Sequence, residues 1–190
     1  MHMRPKIKRY LILTIIVFCC STVIGITYAG TSQQDPGFIE IIDDQIFGSL
    51  IGKPDYIVAL FIFVNNASTC FLSIFFGLFL GIFPLAVLAL NGFLMGYLAY
   101  YAFLERGIVY PIVALVPHGI IELTAVFICC ALGLRLGVSV SKRIINRYPS
   151  SISLELIDSL KLFLYLALPL LLVAAFIETY ITPLLVEMFI

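Results

Sequence analysis

Charge is what this 190-residue chain has least of: Asp, Glu, Lys and Arg together make up 12% of it. Hydrophobic residues make up 62%, and the mean hydropathy is +1.13, more apolar surface than a soluble single domain of this length can bury. No basic tract or basic–aromatic interleaving occurs, which excludes nucleic acid as a partner. H-E-x-x-H, C-x-x-C and G-x-S-x-G are all missing, and no cofactor is expected. Cysteine is sparse and badly placed for crosslinking. Cys19, Cys20, Cys70, Cys129 and Cys130 all lie in apolar runs and read as small packing residues.

What is present is long uncharged sequence. Residues 10–29 hold twenty residues without a charge, enough for the ~30 Å hydrocarbon core. Thr27-Tyr28-Ala29 loosely resembles a signal-peptide cleavage site, but the run exceeds the usual h-region of about 7–15 residues, which favours an uncleaved first span. Residues 56–104 run for forty-nine residues without a charge, about twice one span, so they are expected to fold as a hairpin. Its natural break is Gly81-Ile82-Phe83-Pro84, giving spans at 56–80 and 84–104. Residues 108–140 are apolar apart from His118, Glu122 and Arg135. As one straight helix they would reach close to 50 Å at ~1.5 Å per residue, so a break at Pro117 and Gly119 is expected within a span at 110–138. The last span is placed at 160–182, with a kink expected at Pro169.

Between the first two spans, Phe38, Ile39, Ile41, Ile42, Ile46, Phe47, Leu50 and Ile51 recur at helical spacing among Glu40, Asp43, Asp44 and Gln45. That pattern predicts an amphipathic helix with an acidic outer face. The expected fold is therefore all-α: a polytopic membrane helix bundle forming a single integral membrane domain over residues 1–190. It has five transmembrane helices, the fourth broken near Pro117, plus an external amphipathic helix.

Arg4, Lys6, Lys8 and Arg9 precede the first span, and Arg135, Lys142, Arg143, Arg147 and Lys161 cluster between the end of the fourth and the start of the last. The other side holds Lys53 and Arg106 with Asp35, Glu40, Asp43, Asp44, Asp55, Glu105, Glu178 and Glu187. Five spans place these groups on alternating sides, and the positive-inside rule predicts a multi-pass cell-membrane protein with a cytoplasmic N-terminus and an external C-terminus. Arg135, at the exit of the fourth span, reads as an interfacial anchor.

An ionisable group at the middle of a bilayer costs roughly 2.5–3.5 kcal/mol on insertion scales, so each one needs a partner or a task. His118 and Glu122 lie one helical turn apart on one face. At ~1.5 Å per residue, Asn65 and Asn66 lie about 14–15 Å deep, Asn91 about 20 Å, and His118 and Glu122 about 12 and 18 Å. The five are expected to face one another at the midplane. One His and one Glu do not complete a three-ligand zinc site, so no metal is expected and an intramembrane hydrolase ranks third among the readings. Gly77/Gly81, Gly92/Gly96 and Gly133/Gly137 are pairs at four-residue spacing, suited to close helix packing within the chain or along a homodimer seam.

The ordered set Asn65-Asn66, Gly77, Gly81, Asn91-Gly92, Gly96, Pro117-His118-Gly119, Glu122, Ala125, Gly133, Arg135 and Gly137 resembles the stage II sporulation protein M family. The resemblance is strongest over residues 57–138, and the five-span layout extends it to the whole chain. The sporulation member of that family is a multi-pass component of the membrane machinery of engulfment, holding cell-wall-cutting partners. The resemblance implies a non-enzymatic scaffold or accessory subunit of a membrane complex, with the lipid bilayer and other membrane proteins or a second copy as partners. The alternative is a channel or transporter for a small solute or ion that uses the Asn/His/Glu cluster. A water-accessible path to the cluster separates the two.

Overall fold

In hydrocarbon every backbone N–H and C=O must be paired within its own segment, so the uncharged runs have helix as their only open-chain solution. The computed structural model describes residues 4–31, 52–145 and 151–189. The acidic amphipathic helix expected near residues 38–51 lies outside the described residues. Five helices are long and apolar enough to cross a membrane: α1 (Arg4–Thr31), α2 (Asp55–Phe75), α3 (Ile82–Arg106), α4 (Val109–Ile144) and α5 (Ile152–Phe189). No strand occurs among the described residues. The arrangement is an all-α bundle.

The α2–α3 connection is very tight. One 3-10 turn (Phe76–Leu78) extends α2, Gly81 N–H donates to the Gly77 carbonyl at 2.8 Å, and α3 begins at Ile82. Leu80 and Gly81 both have left-handed backbones, at φ 56° and 75°. Glycine takes that conformation freely, whereas a residue with a Cβ gives up about 1–2 kcal/mol there. Leu80 is 54% exposed and has little packing to lose. Leu80→Gly should therefore raise stability by about 1 kcal/mol, a melting-temperature gain of roughly 2–4 °C for a chain of this size. An unchanged or lower melting temperature of the detergent-purified protein would disprove the strain.

The fourth span is not broken. α4 runs unbroken for 36 residues with Pro117 inside it. Proline deletes one rung of the ladder, the bond to the Val113 carbonyl, and a long membrane helix tolerates that single loss. Proline acts more strongly in α5. A five-residue π turn, Phe163–Ala167, comes two residues before Pro169, and a second, Ile177–Ile181, comes two residues before Pro183. Each wide turn gives room where the proline ring would meet the carbonyl one turn back. The last span, expected at 160–182, is part of a longer helix that runs from Ile152 to Phe189.

α4 is the central pillar: every residue from 129 to 137 is buried, so neighbours surround it on all faces. α1 lies along α3, and α2 and α5 pack on the other side of α4. Both seams close through glycine. A Cβ on Gly92 would lie 2.6 Å from the Phe18 carbonyl oxygen, and one on Gly25 or Gly96 would overlap the carbonyl of Phe93 or Thr22. Added to Gly77 or Gly137, a Cβ would overlap backbone of Gly133 or of residues 80 and 81. Edge-to-face packing of Phe18 on Phe127, 5.3 Å between ring centres, ties α1 to α4. The hairpin legs α2 and α3 pack less on each other than on the rest of the bundle, which leaves a cleft between them.

Candidate functional site

The cleft holds a cavity of about 630 Å³ to which all five helices contribute. Its polar lining consists of Asp55, Asn65 and Asn66 from α2, Asn91 from α3, His118 and Glu122 from α4, and Glu178 and Thr179 from α5. All five residues singled out from the sequence thus line one space. Asp55, the first residue of α2, is exposed, so the cavity reaches from that helix end to the middle of the bundle. Beyond it lies the enclosed stretch 129–137.

His118 is buried, with 9% of its surface exposed, and its Nδ1 lies 3.4 Å from Thr182 Oγ1. The ring's partner is thus a threonine on α5. Asn66 lies near the Glu122 carboxyl, and its Oδ1 accepts from Asn65 Nδ2 at 3.4 Å. Asn91 turns back on its own helix and donates to the Val87 carbonyl at 2.8 Å. It borders the cavity but is tied to α3.

Glu178 is the residue that sequence reasoning assigned elsewhere. It was grouped with the external charges, yet one ligand-type atom each from His118, Glu122 and Glu178 all lie within 4.8 Å of one another. The available signal was the apolar run after it: Ile181, Leu184, Leu185, Val186, Met188 and Phe189 carry α5 about 16 Å beyond Glu178 at ~1.5 Å per residue. Glu178 and Thr179 both sit in the second π turn. Thr179 Oγ1 is buried without a hydrogen-bond partner, and Pro183 has no N–H to offer the Thr179 carbonyl. Gly119, next to His118, also lines the cavity, and a Cβ built there meets nothing within 4 Å.

Arg135 is not an interfacial anchor. It is 7% exposed, with Nε 3.9 Å from Glu155 Oε2 and Nη2 3.4 Å from Ser159 Oγ. Ser139 Oγ also donates to Glu155 Oε2, at 2.8 Å. This polar knot joins α4 to the start of α5, away from the cavity. Cys70, Cys129 and Cys130 are buried free thiols, and Cys19 and Cys20 are exposed on α1.

The sequence profile of the family described as SpoIIM, stage II sporulation protein M, matches residues 14–183. A protein described as uncharacterized protein MJ0793, from Methanocaldococcus jannaschii, is 34% identical over 124 residues, covering 64% of this chain and 69% of the relative. No solved structure matches.

Proposed function

We propose that this chain, which belongs to the stage II sporulation protein M family, is a non-enzymatic membrane protein that takes up a small polar solute or cation into the cleft between α2 and α3 and passes it through the bundle. The single observation behind this reading is the cavity. Asparagine, histidine and glutamate side chains at the depth of the hydrocarbon core border a space of about 630 Å³ that reaches the exposed Asp55 end of α2. A cluster serving only to hold helices together would be dry and fully paired, because an unpaired polar group in a low-dielectric interior costs roughly 1–3 kcal/mol. Here Thr179 Oγ1 has no partner and Asn65 and Asn91 are exposed. The enclosed pillar at 129–137 would then close the far end in this conformation, leaving the cluster reachable from one side only. The π turn at Ile177–Ile181 borders the site, and such turns are frequent at functional positions. By the distribution of Lys and Arg, the open end is the external one.

Gly119→Leu tests this reading without disturbing a packed seam. The new side chain enters the cavity, while removing an interior helix glycine is worth up to about 1 kcal/mol in the fold's favour. The variant should fold as well as the parent but lose flux. Flux would be read in proteoliposomes as dye-reported entry of K⁺, Mn²⁺ and Co²⁺. No flux above protein-free vesicles, or equal flux in both proteins, would remove the proposal.

An accessory role in a membrane complex is the second reading. A nearly apolar groove of about 550 Å³ between α2 and α5, bordered by Leu60, Phe63, Leu172 and Phe176, favours it, since its shape and chemistry suit a partner helix or an acyl chain.

A further inference from the structure

We infer that His118, Glu122 and Glu178 form a binding site for a divalent transition-metal ion at the inner end of the cleft, and that this ion is what the cleft handles, an inference that for its purpose rests on the transport reading above. Three side chains from two helices, 56 residues apart at Glu122 and Glu178, converge with ligand-type atoms within 4.8 Å of one another. At that limit an ion central to the three atoms would lie about 2.8 Å from each, so small side-chain rotations have to bring them in to the bonds of about 2.0–2.2 Å that zinc takes.

The donor set narrows the ion. One imidazole and two carboxylates with amide and hydroxyl oxygens nearby suit Mn²⁺, Fe²⁺, Co²⁺ or Zn²⁺. Mg²⁺ and Ca²⁺ prefer all-oxygen shells, and Cu⁺ prefers sulfur. The charge also matches, because two carboxylates facing each other in a low-dielectric interior repel unless one holds a proton or a cation lies between them, and a divalent ion supplies that counter-charge. One supporting bond is in place: Thr182 Oγ1 lies 3.4 Å from His118 Nδ1 and leaves the other ring nitrogen for a ligand, while the Asn66 amide lies near the Glu122 carboxyl. Glu178 makes no hydrogen bond among the described residues, and the unpartnered Thr179 hydroxyl lies in the wall of the same cavity. The ion has a route in, since His118, Glu122 and Glu178 all border the cavity that reaches Asp55.

The test uses the full chain, purified in detergent and stripped with a chelator. Titration with Co²⁺ is followed by its visible d–d absorption, and Zn²⁺ and Mn²⁺ by equilibrium dialysis with Mg²⁺ as competitor. One equivalent should bind per chain, Mg²⁺ should not displace it, and Glu122→Gln, Glu178→Gln and His118→Ala should each weaken binding by roughly 100-fold or more. Glu187→Gln, at an exposed position, should bind like the parent. Should Glu122→Gln fail to fold, Glu178→Gln carries the test. Stoichiometric binding unchanged in Glu178→Gln, or no binding by the parent, overturns the site. Metal binding without flux in proteoliposomes keeps the site and removes transport; flux without metal binding does the reverse.

Discussion

Gly133→Leu should destabilise the bundle by 3 kcal/mol or more, beyond the usual range of about 1–3 kcal/mol for overpacking a core. The usual range assumes that neighbouring side chains can move aside. At Gly133 the obstacle is main chain: a Cβ would overlap the Ser73 carbonyl and lie 3.2 Å from Pro84 Cγ. Across the same seam, a Cβ on Gly77 would overlap the Cα of Gly133 itself. The substitution therefore has to push α2 away from α4, and the Gly81–Gly137 contact goes with it. Gly119→Leu on the same helix is the matched control and should be neutral or slightly stabilising. Thermal unfolding of the purified proteins reads the difference, and equal melting temperatures for Gly133→Leu and the parent would refute the close-approach argument.

Glu155→Ala should be the next most damaging change. Removing one partner of a buried ion pair costs about 3–5 kcal/mol, mostly because the other charge is stranded. The lower part of that range applies here, since the Glu155 side chain keeps 18% of its surface exposed. Arg135, with 9% side-chain exposure, would lose the carboxylate 3.9 Å away, and Ser139 would lose its 2.8 Å acceptor. Replacing both charges, as Arg135→Met with Glu155→Leu, should recover most of the loss because neither charge is then left alone in the core. A double variant as unstable as the two single losses combined would show that the pair is not the source of the effect.

Span number was legible because it follows from length alone: runs of apolar residues at about 1.5 Å per residue admit little choice. For the same reason Asn65, Asn66, His118 and Glu122 could be foreseen near one another before any packing was known. Three features were not legible, each for a physical reason. Pro117 was expected to interrupt α4, but a proline's effect depends on whether neighbours pay back one lost hydrogen bond, which composition does not reveal. Arg135 was placed at the interface because cations usually sit there; its burial depends on Glu155 and Ser159, 20 and 24 residues away. Glu178 looks external if the last span ends at residue 182, but the helix goes on to Phe189. Moving that boundary by seven residues turns a surface charge into a third side chain of the cluster.

The turn at residues 79–81 is seated on the glycines of α4, while the other ends of α2 and α3 flank an open space. The hairpin is thus a pair of tongs with its rivet at one membrane face. From Gly81 to Arg106, α3 measures about 37 Å at ~1.5 Å per residue, so swinging this arm by 10° displaces its tip by about 6 Å while residues within 5 Å of the rivet shift by less than about 1 Å. Because Gly92 and Gly96 seat α3 against the backbone of α1, any swing of this arm would have to carry α1 with it.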